Sequence, residues 1–493
     1  MTNLSNRTLA SFGPDVDVPT YDRGRVRPGI VHFGVGNFHR VHQAIAIDAC
    51  LHHPAHENWG ICGVGLMDGA AADGKADAYR RQDNLYTVTE LTPDAPRRAR
   101  VVGAMVEYLH APRDPEAVLA RLADAATRIV SLTITEGGYN LDEASGEFRL
   151  DTPEIREELT GGAPRTVFGY IVAALRRRRD AGLPPFTVMS CDNLPRNGDT
   201  TRHCVVSFAK IVDPALADWI EANGAFPNSM VDRIAPQVPE SERLRLVAAT
   251  GVDDLVAATC ETYTSWVVED RFCAGRPRLE LAGVVFSDEV PAYVAVKGRL
   301  SNAAHMLMCY PALLMGARFV DEGMRFPEIV RLLKNFWTLD ARPLVEPPSG
   351  YSVDAFTESV LARFANPAIK DQLLRVAGDG ASKIVVFHGK TIAQLIAGDG
   401  DLTREAFLIA LFGRYLGGVD DRGERFDVFE PHIGTADWTR LREGDPLAVL
   451  DIDAFRGLGL RGSPRFVAAY RDMSERLAAQ GVAATLTQIL VQE

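Results

Sequence analysis

The sequence predicts an α/β fold in the first half of the chain and a mostly α-helical second half. In the first half, short apolar runs alternate with helical patterns, which indicates a parallel sheet because parallel strands need long crossover connections. From residue 290 onward, apolar residues recur almost entirely at helical spacing. We therefore expect two domains, residues 1–289 and 290–493.

The first strand pattern runs into a glycine loop that predicts dinucleotide binding. The apolar run Gly29–Phe33 leads into Gly34-Val35-Gly36, and a helical pattern follows. In this context glycines allow a tight turn and close approach to a pyrophosphate, and the helix N-terminus offers N–H groups. His39 stands where the third glycine of the pattern is usual. Arg40 is placed to compensate by reaching a phosphate, unless it faces solvent on the first helical turn.

An acidic residue after the second strand pattern bears on the choice of cofactor. The run Trp59–Met67 ends at Asp68. A carboxylate at this point of a βαβ unit binds the ribose hydroxyls of NAD and would repel the 2′-phosphate of NADP. Its separation from the glycines exceeds the usual ~20 residues, which fits a longer helix and loop. Asp73 is a neighbouring candidate, and a capping role for Asp68 stays open.

Two later strand patterns also end in polar segments. Residues 128–135 lead to Glu136-Gly137-Gly138, and residues 186–190 lead to Asp192-Asn193. Ligands of parallel sheets bind beyond the carboxyl ends of the strands. We expect Glu136 and Gly137 to line the cofactor site and Asn193 to face cofactor or substrate. For Asn193, a purely turn-forming role is the alternative.

In the second half, residues 297–305 combine three functional side chains with an apolar, helix-like context. On a wheel of about 100° per residue, Lys297, His305 and Asn302 lie within about 140° of one another. A buried lysine loses its proton readily, so Lys297 is a candidate general base. The alternative is an exposed lysine and a satisfied histidine on an amphipathic helix.

Composition excludes several classes of partner. The formal net charge of −12 argues against nucleic acid and anionic membranes. The seven cysteines are scattered without a Cys-x-x-Cys pair, which favours reduced thiols in the cytoplasm and predicts no metal site. Neither a signal peptide nor an apolar run of membrane-spanning length is evident. We expect a cytoplasmic protein with no membrane partner.

Several segments resemble the polyol-specific long-chain dehydrogenases, the mannitol 2-dehydrogenase family, and the resemblance covers essentially the whole chain. The glycine loop, with histidine in place of the third glycine, is usual for that family. The segments that carry the resemblance occur in the family's order: Gly34-x-Gly36-Asn37-Phe38-His39-Arg40, Thr135-Glu136-Gly137-Gly138-Tyr139, Asp192-Asn193-Leu194-Pro195-x-Asn197-Gly198, Val231-Asp232-Arg233-Ile234-x-Pro236 and Lys297-x-Arg299-Leu300-x-Asn302-x-x-His305.

The resemblance implies a Rossmann-type N-terminal domain, a helical C-terminal domain and an active site in the cleft between them. It makes Lys297 the general base, with Asn193 and Asn302 holding the developing alkoxide and His305 orienting the substrate. Three further positions are implied to bind the polyol chain: Asp232, Arg375 and Lys383. With the residues singled out above, the expected NAD site comprises Gly34, Gly36, Asn37, Phe38, Arg40, Asp68, Glu136 and Gly137.

The expected reaction is the reversible, metal-independent oxidation of a sugar alcohol, of the mannitol, arabinitol or sorbitol type, to a ketose by NAD. We expect a monomer or small homo-oligomer. The alternatives are a uronate reductase of the fructuronate or mannonate type, a polyol-phosphate dehydrogenase and a non-catalytic nucleotide sensor.

Tyr293 and Lys297 also match the Tyr-x-x-x-Lys pair of short-chain dehydrogenases, but this chain is far longer. Val294 replaces a glutamate frequent in relatives, which puts a carboxylate-assisted proton relay in question.

Overall fold

The computed structural model describes residues 1–93, 98–142 and 145–492. The chain divides by its internal contacts into an N-terminal unit, Met1–Pro291, and a C-terminal unit, Ala292–Glu493. In the described ranges, no helix is long and apolar enough to cross a membrane. Over the same ranges, no group of three or more His, Cys, Asp or Glu side chains is arranged to hold a metal ion.

The N-terminal unit contains the strands of the structure, and helices connect them. The strands are β1 (Thr2–Asn3), β2 (Val16–Asp17), β3 (Pro28–Phe33), β4 (Gly60–Gly65), β5 (Tyr86–Leu91), β6 (Ala99–Val102), β7 (Met105–His110), β8 (Ile129–Leu132), β9 (Thr187–Ser190), β10 (Ser229–Asp232), β11 (Val252–Asp253), β12 (Ala258–Glu261), β13 (Ser265–Val268) and β14 (Val285–Phe286). The helices are α1 (Asn37–Val41), α2 (Gln43–Leu51), α3 (Ala70–Arg81), α4 (Pro115–Ala123), α5 (Pro153–Leu159), α6 (Val167–Asp180), α7 (Asn197–Val212), α8 (Pro214–Asn223) and α9 (Glu240–Thr250).

The central sheet is parallel and has the strand order β7-β4-β3-β8-β9. The next strands along the chain, β4 and β7, lie on one side of β3, and the later strands β8 and β9 lie on its other side. The strand order therefore reverses between β3 and β8, and doubly wound sheets bind nucleotides in the crevice at such a point. Helices cover both faces, so apolar side chains on either face of a strand are buried, as Ile30, Val31 and Phe33 of β3 are. The predicted Rossmann-type fold is confirmed.

Two predicted strands end earlier than their patterns suggested, and one predicted helix is divided. The strand β4 stops at Gly65 instead of Met67, and β8 stops at Leu132 instead of Thr135, whose φ is +59°. After the glycine loop, the helical pattern is split at His42, with φ −121° and ψ −85°, into α1 and α2. The smaller sheets β12-β5-β6-β2, β10-β13-β14 and β1-β11 extend this unit.

From Val290 onward the described chain is helical, as predicted. Its α-helices are α10 (Val290–Val296), α11 (Ala303–Leu314), α12 (Val320–Gly323), α13 (Pro327–Asn335), α14 (Val353–Phe364), α15 (Leu373–Ala377), α16 (Gly380–Phe387), α17 (Gly389–Ala397), α18 (Thr403–Tyr415), α19 (Thr435–Arg442) and α20 (Pro464–Gln492). The apolar residues at helical spacing over 381–395 belong to two helices, α16 and α17, which are divided at His388. The apolar core surrounds α11, whose residues are buried except for His305.

Two segments of the C-terminal unit are π-helical, with hydrogen bonds between residues five apart. The first π segment is Lys297–Asn302, between α10 and α11, and the second π segment is Phe336–Ala341, after α13. The sequence pattern predicts one regular α-helix through residues 297–305, and that expectation is wrong. Single π turns inside α-helices frequently occur at functional sites.

Candidate functional site

The two glycines of the loop after β3 serve different purposes. Gly34 has φ +90°, and a Cβ atom there would lie 2.0 Å from the carbonyl oxygen of Thr133, so the fold itself requires glycine. Gly36 has φ −94° and ψ −170°, a conformation open to any residue. The nearest atom to a Cβ at Gly36 would be the Gly34 oxygen, at 3.8 Å. The space beside Gly36 therefore fits the close approach of a pyrophosphate to the backbone.

This contrast predicts different effects of alanine at the two positions. Gly36→Ala should leave the melting temperature within about 2 °C of the parent and weaken NAD binding by at least about tenfold, because only a ligand would meet the new methyl group. Gly34→Ala should destabilise folding by about 2–4 kcal/mol, because its Cβ would overlap a backbone carbonyl. Thermal unfolding and titration of NAD by isothermal calorimetry measure both quantities. Equal NAD affinity in Gly36→Ala would contradict this assignment of the loop.

The side chains of this loop brace it internally. The guanidinium of Arg40 is buried and donates to the carbonyl oxygens of Gly36 (3.2 Å) and Val256 and to Oδ1 of Asn37 (2.5 Å). The amide of Asn37 donates to the carbonyl of Pro236 (3.1 Å), and Phe38 stacks on His42. Arg40 therefore neither faces solvent nor presents a free guanidinium. Its contacts shape the loop whose backbone would meet the phosphates.

His39 takes the place of the third glycine by packing into the interior. Its ring stacks on that of His32 in β3, with centroids 3.4 Å apart and planes 11° apart. Burial, and then the neighbouring His32, keep the pKa of His39 well below the usual value, so the ring is neutral. A third glycine normally lets the helix pack closely on the strand. Here the stacked imidazoles of His32 and His39 occupy the space between the strand and the helix instead.

Beyond β4, the two candidate ribose ligands lie in different surroundings. Asp68 is exposed, and its Oδ1 accepts a hydrogen bond from the backbone N–H of Gly69 (2.7 Å). Asp73 instead forms an ion pair with Arg113 (2.5 Å) and lies 3.4 Å from Nδ1 of His110. His110 donates through Nε2 to the carbonyl of Met67 (2.9 Å), which fixes the turn before Asp68. These contacts favour Asp68 as the ribose ligand and give Asp73 a supporting position.

Lys75 is a residue at this site that the sequence did not reveal. Its ammonium, on α3, donates to the carbonyl oxygen of Val35 inside the glycine loop. Burial, and then the charge of Arg40, lower the pKa of Lys75 to about 8. A helical lysine has no pattern that signals such a contact, because the contact depends on how α3 packs against the loop.

A buried carboxylate joins the loops that follow β8 and β9. Asp192 accepts hydrogen bonds from the backbone N–H groups of Ile134 (3.1 Å) and Thr135 (2.9 Å) and from the Tyr139 hydroxyl (2.8 Å). Burial raises the pKa of Asp192, although these donors oppose the shift. Its neighbour Asn193 is exposed at the carboxyl edge of the sheet. The sequence shows Asp192 only as part of a motif, and its bracing role emerges from the structure.

The remaining predicted residues of the N-terminal unit lie in the turn after β8 and at the end of β10. Glu136 and Gly137 are exposed in the 3-10 turn Glu136–Tyr139, after β8. A Cβ at Gly137 would meet nothing within 4 Å, so the structure itself does not require glycine there. Asp232 is the last residue of β10 and is buried. The next side chain, Arg233, donates to the carbonyls of Val41 and Glu261 and is structural.

In the C-terminal unit, the first π segment brings the candidate base and one candidate amide to one side. The N–H of Ala303 donates to the carbonyl of Gly298, five residues earlier. Residues five apart therefore lie about one turn above each other, as Lys297 and Asn302 do. In a regular α-helix these two would lie about 140° apart. Lys297, Asn302 and His305 are half-buried, whereas Leu300, Ala303 and Ala304 are fully buried.

Neighbouring helices enclose this half-buried face. The ring of His305 stacks on Phe364 of α14, with centroids 3.8 Å apart and planes 12° apart. A Cβ at Gly298 would lie 3.9 Å from Phe387, because α16 packs against the first π segment. The stack fixes the orientation of the imidazole, and Gly298 leaves room beside α16.

The two predicted basic ligands of the polyol chain lie on consecutive helices, α15 and α16. Arg375 forms a two-pronged ion pair with Asp371, with N···O distances of 2.7 and 2.5 Å. The ammonium of Lys383 donates to the carbonyls of Val376 (3.1 Å) and Gly378 (2.6 Å). Burial lowers the pKa of Lys383. Both cations are therefore held by groups of the same unit.

Comparisons with known proteins agree with this organisation. Residues 28–281 match the family model of the mannitol dehydrogenase Rossmann domain, and residues 289–478 match that of the mannitol dehydrogenase C-terminal domain. The chain is 44% identical to the polyol:NADP oxidoreductase of Gluconobacter oxydans (strain 621H) over 92% of this chain and 93% of the relative. It is 41% identical to the mannitol 2-dehydrogenase of Phaeosphaeria nodorum (strain SN15 / ATCC MYA-4574 / FGSC 10173), over 98% of this chain and 85% of that protein.

Two solved structures are similar over nearly the whole chain. The substrate-free crystal structure of D-sorbitol dehydrogenase has a TM-score of 0.91 and 42% identity, covering 98% of this chain and all of the other. The ternary complex of Pseudomonas fluorescens mannitol 2-dehydrogenase with NAD and D-mannitol has a TM-score of 0.90 and 39% identity, with both chains fully covered. Because both family models match and the relatives are similar almost end to end, this chain belongs to the mannitol dehydrogenase family.

Proposed function

We propose that this protein is an NAD-dependent polyol dehydrogenase that reversibly oxidises a secondary alcohol of a sugar alcohol to a ketose. The observation that carries the proposal is the half-buried face formed by Lys297, Asn302 and His305, in a chain whose other unit holds a dinucleotide-type glycine loop. Relatives named as mannitol 2-dehydrogenase, and one solved with NAD and D-mannitol, support the same substrate class.

The residues of this chain supply a base and two oxyanion donors. Lys297, as the neutral amine, accepts the proton of the substrate hydroxyl. The amide N–H groups of Asn193 and Asn302 donate to the substrate oxygen as negative charge develops on it. Preorganised dipoles of this kind stabilise the transition state. His305, fixed by its stack on Phe364, orients the substrate. This assignment relies on an amine and two amides, without a metal ion.

The residues of the N-terminal unit fit NAD. The backbone of the Gly34–Gly36 loop would receive the pyrophosphate, and Asp68 the ribose hydroxyls, with Glu136 and Gly137 at the sheet edge. When bound, NAD supplies the acceptor for the hydride removed from the alcohol carbon. Asn37, Phe38 and Arg40 contribute by shaping the loop.

The ion pair of Arg375 bears on the choice between a neutral and an anionic substrate. Asp232, Arg375 and Lys383 would hydrogen-bond the hydroxyl groups along the chain of the polyol. The guanidinium of Arg375 is already paired with Asp371 through both prongs. A uronate would have to compete with that carboxylate for its cation, which makes the uronate reductase the less favoured alternative.

A substrate panel tests the proposed function. NADH formation is followed with mannitol, sorbitol, arabinitol and mannonate in parallel, and NADH consumption with the matching ketoses. We expect turnover of at least one polyol and of its ketose. Turnover of mannonate alone would overturn the proposal in favour of a uronate reductase. Tight NAD binding without turnover of any compound would favour a nucleotide sensor.

The exposed carboxylate at position 68 predicts the cofactor preference. Asp68→Ala should raise the ratio of kcat/KM for NADP to that for NAD by about 10- to 100-fold, because a charge that repels the 2′-phosphate is removed. The ratio matters because one relative is named for NADP. Asp73→Asn is the matched control and should leave the ratio unchanged, since Asp73 pairs with Arg113. A shift in the control alone would transfer the role to Asp73.

A further inference from the structure

The backbone of the first π segment and the first residue of α11 receive two hydrogen bonds from side chains elsewhere in the C-terminal unit. The indole Nε1–H of Trp337 donates to the carbonyl oxygen of Leu300 (2.7 Å). The imidazole Nε2–H of His388 donates to the carbonyl oxygen of Ala303 (3.0 Å). Trp337 is 5% exposed and His388 is fully buried. The two accepting carbonyls flank Asn302, one on each side in sequence.

Both donors are anchored by buried contacts that start from consecutive residues of α18. The carboxylate of Glu405 lies 2.9 Å from Nδ1 of His388. The guanidinium of Arg404 forms a two-pronged pair with Asp340, which lies three residues after Trp337 in the second π segment. The four side chains of these pairs are at most 1% exposed. The buried N-terminal end of α18 therefore holds in place both of the side chains that donate to Leu300 and Ala303.

The environment of His388 also defines its hydrogen-bonding state. A backbone carbonyl oxygen can only accept, so Nε2 of His388 donates to Ala303, while Nδ1 faces the carboxyl group of Glu405. Because the site is buried, loss of either partner would leave an unpaired polar group at considerable cost.

These contacts bear on the shape of the base-bearing segment. A π turn is rare, and local departures from the α-helical ladder occur where a side chain is inserted into it. If the segment relaxed to a regular α-helix, Lys297 and Asn302 would lie about 140° apart instead of on one side. Displacing a catalytic group by about 1 Å can already cost about 100-fold in rate.

We propose that Trp337 and His388 are positioning residues, whose hydrogen bonds to Leu300 and Ala303 hold the first π segment in the geometry that keeps Lys297 and Asn302 together. The inference rests on the proposed catalytic role of Lys297. Neither residue touches the reacting atoms, so their effect is on the alignment of base and amide and not on the affinity for NAD.

The test compares Trp337→Phe, which removes the N–H and keeps most of the ring volume, with His388→Leu and His388→Gln. We expect kcat for the polyol to fall about 10- to 100-fold in Trp337→Phe and His388→Leu, with KM and NAD affinity within about threefold of the parent. The pH profile of kcat should shift as the base is displaced. His388→Gln, which keeps an N–H donor, should recover part of the loss. Trp438→Phe, at the edge of the same core, is the control.

These kinetic measurements can overturn the positioning role. Unchanged kcat and pH profile in a folded Trp337→Phe variant would do so, as would a loss of activity that only follows lowered thermal stability. Should Trp337→Phe not fold, the comparison of His388→Leu with His388→Gln decides, because the positioning role requires the variant without an N–H donor to lose more activity and to shift the pH profile further than the variant that keeps one. Full activity of Lys297→Ala would instead refute the proposed function itself.

Discussion

Replacing Lys297 by alanine is expected to lower kcat by about 10³-fold while leaving NAD binding unchanged. Proton transfer by a positioned base is worth about 10²- to 10⁴-fold, and the structure places this amine on a half-buried face beside Asn302. Without the amine, hydroxide must remove the proton, so the residual rate should rise steadily with pH. Single-turnover rates across pH 6–10, together with NAD titration, measure both effects.

Two further variants control for this result. Lys297→Met keeps the length of the side chain and should be as inactive as the alanine variant, because the lost group is the amine. Lys334→Ala removes an exposed lysine of the same unit and should retain full activity. A Lys297→Ala variant within threefold of the parent, with the parent's pH profile, would remove Lys297 from the role of base.

Replacing either candidate amide by alanine is expected to lower kcat by about 10²- to 10³-fold, the usual cost of removing one oxyanion donor. Asn193 lies exposed after β9, next to Asp192, whose carboxylate joins the loops that follow β8 and β9. Asn302 is the last residue of the first π segment. If both donate to the same oxygen, the double variant should depart from the product of the single effects, because interacting sites are not additive.

Steady-state kinetics of the two single variants and the double variant test this expectation. Asn223→Ala, an exposed asparagine at the end of α8, serves as the control for an amide lost from the surface. A rise in KM with unchanged kcat would assign the two amides to substrate binding alone. Strict additivity of the two losses would indicate that they act on different groups.

Much of the N-terminal unit follows from the sequence because its signals are local. A buried parallel strand must be a short apolar run, and the turn after β3 must contain glycine where φ is positive and a carbonyl lies close, as at Gly34. Polar residues after such strands necessarily reach the same edge of the sheet, which is why Asp68, Glu136 and Asn193 could be singled out. The Rossmann-type fold and the helical second half are confirmed.

Other features depended on packing that no local pattern records. Arg40 was expected near a phosphate, yet the carbonyl of Val256, more than 200 residues later, receives its guanidinium. The choice between Asp68 and Asp73 depends on Arg113, which pairs with the latter. Lys75 reaches the glycine loop solely because α3 packs against it. Each is a contact between segments distant in sequence.

The sequence by itself determined which chemical groups are present, where the strands and glycines fall, and which family the motifs resemble, since these depend on residue type and short spacing. It also indicated Lys297, Asn302 and His305 together, but on a regular helix. Only the tertiary structure decided that residues 297–302 form a π turn. That turn is wider than an α turn, and side chains from distant segments, Trp337 and His388, donate hydrogen bonds to carbonyls in and just after it. A helical wheel assumes one fixed angle per residue, so it could not anticipate a geometry that packing imposes.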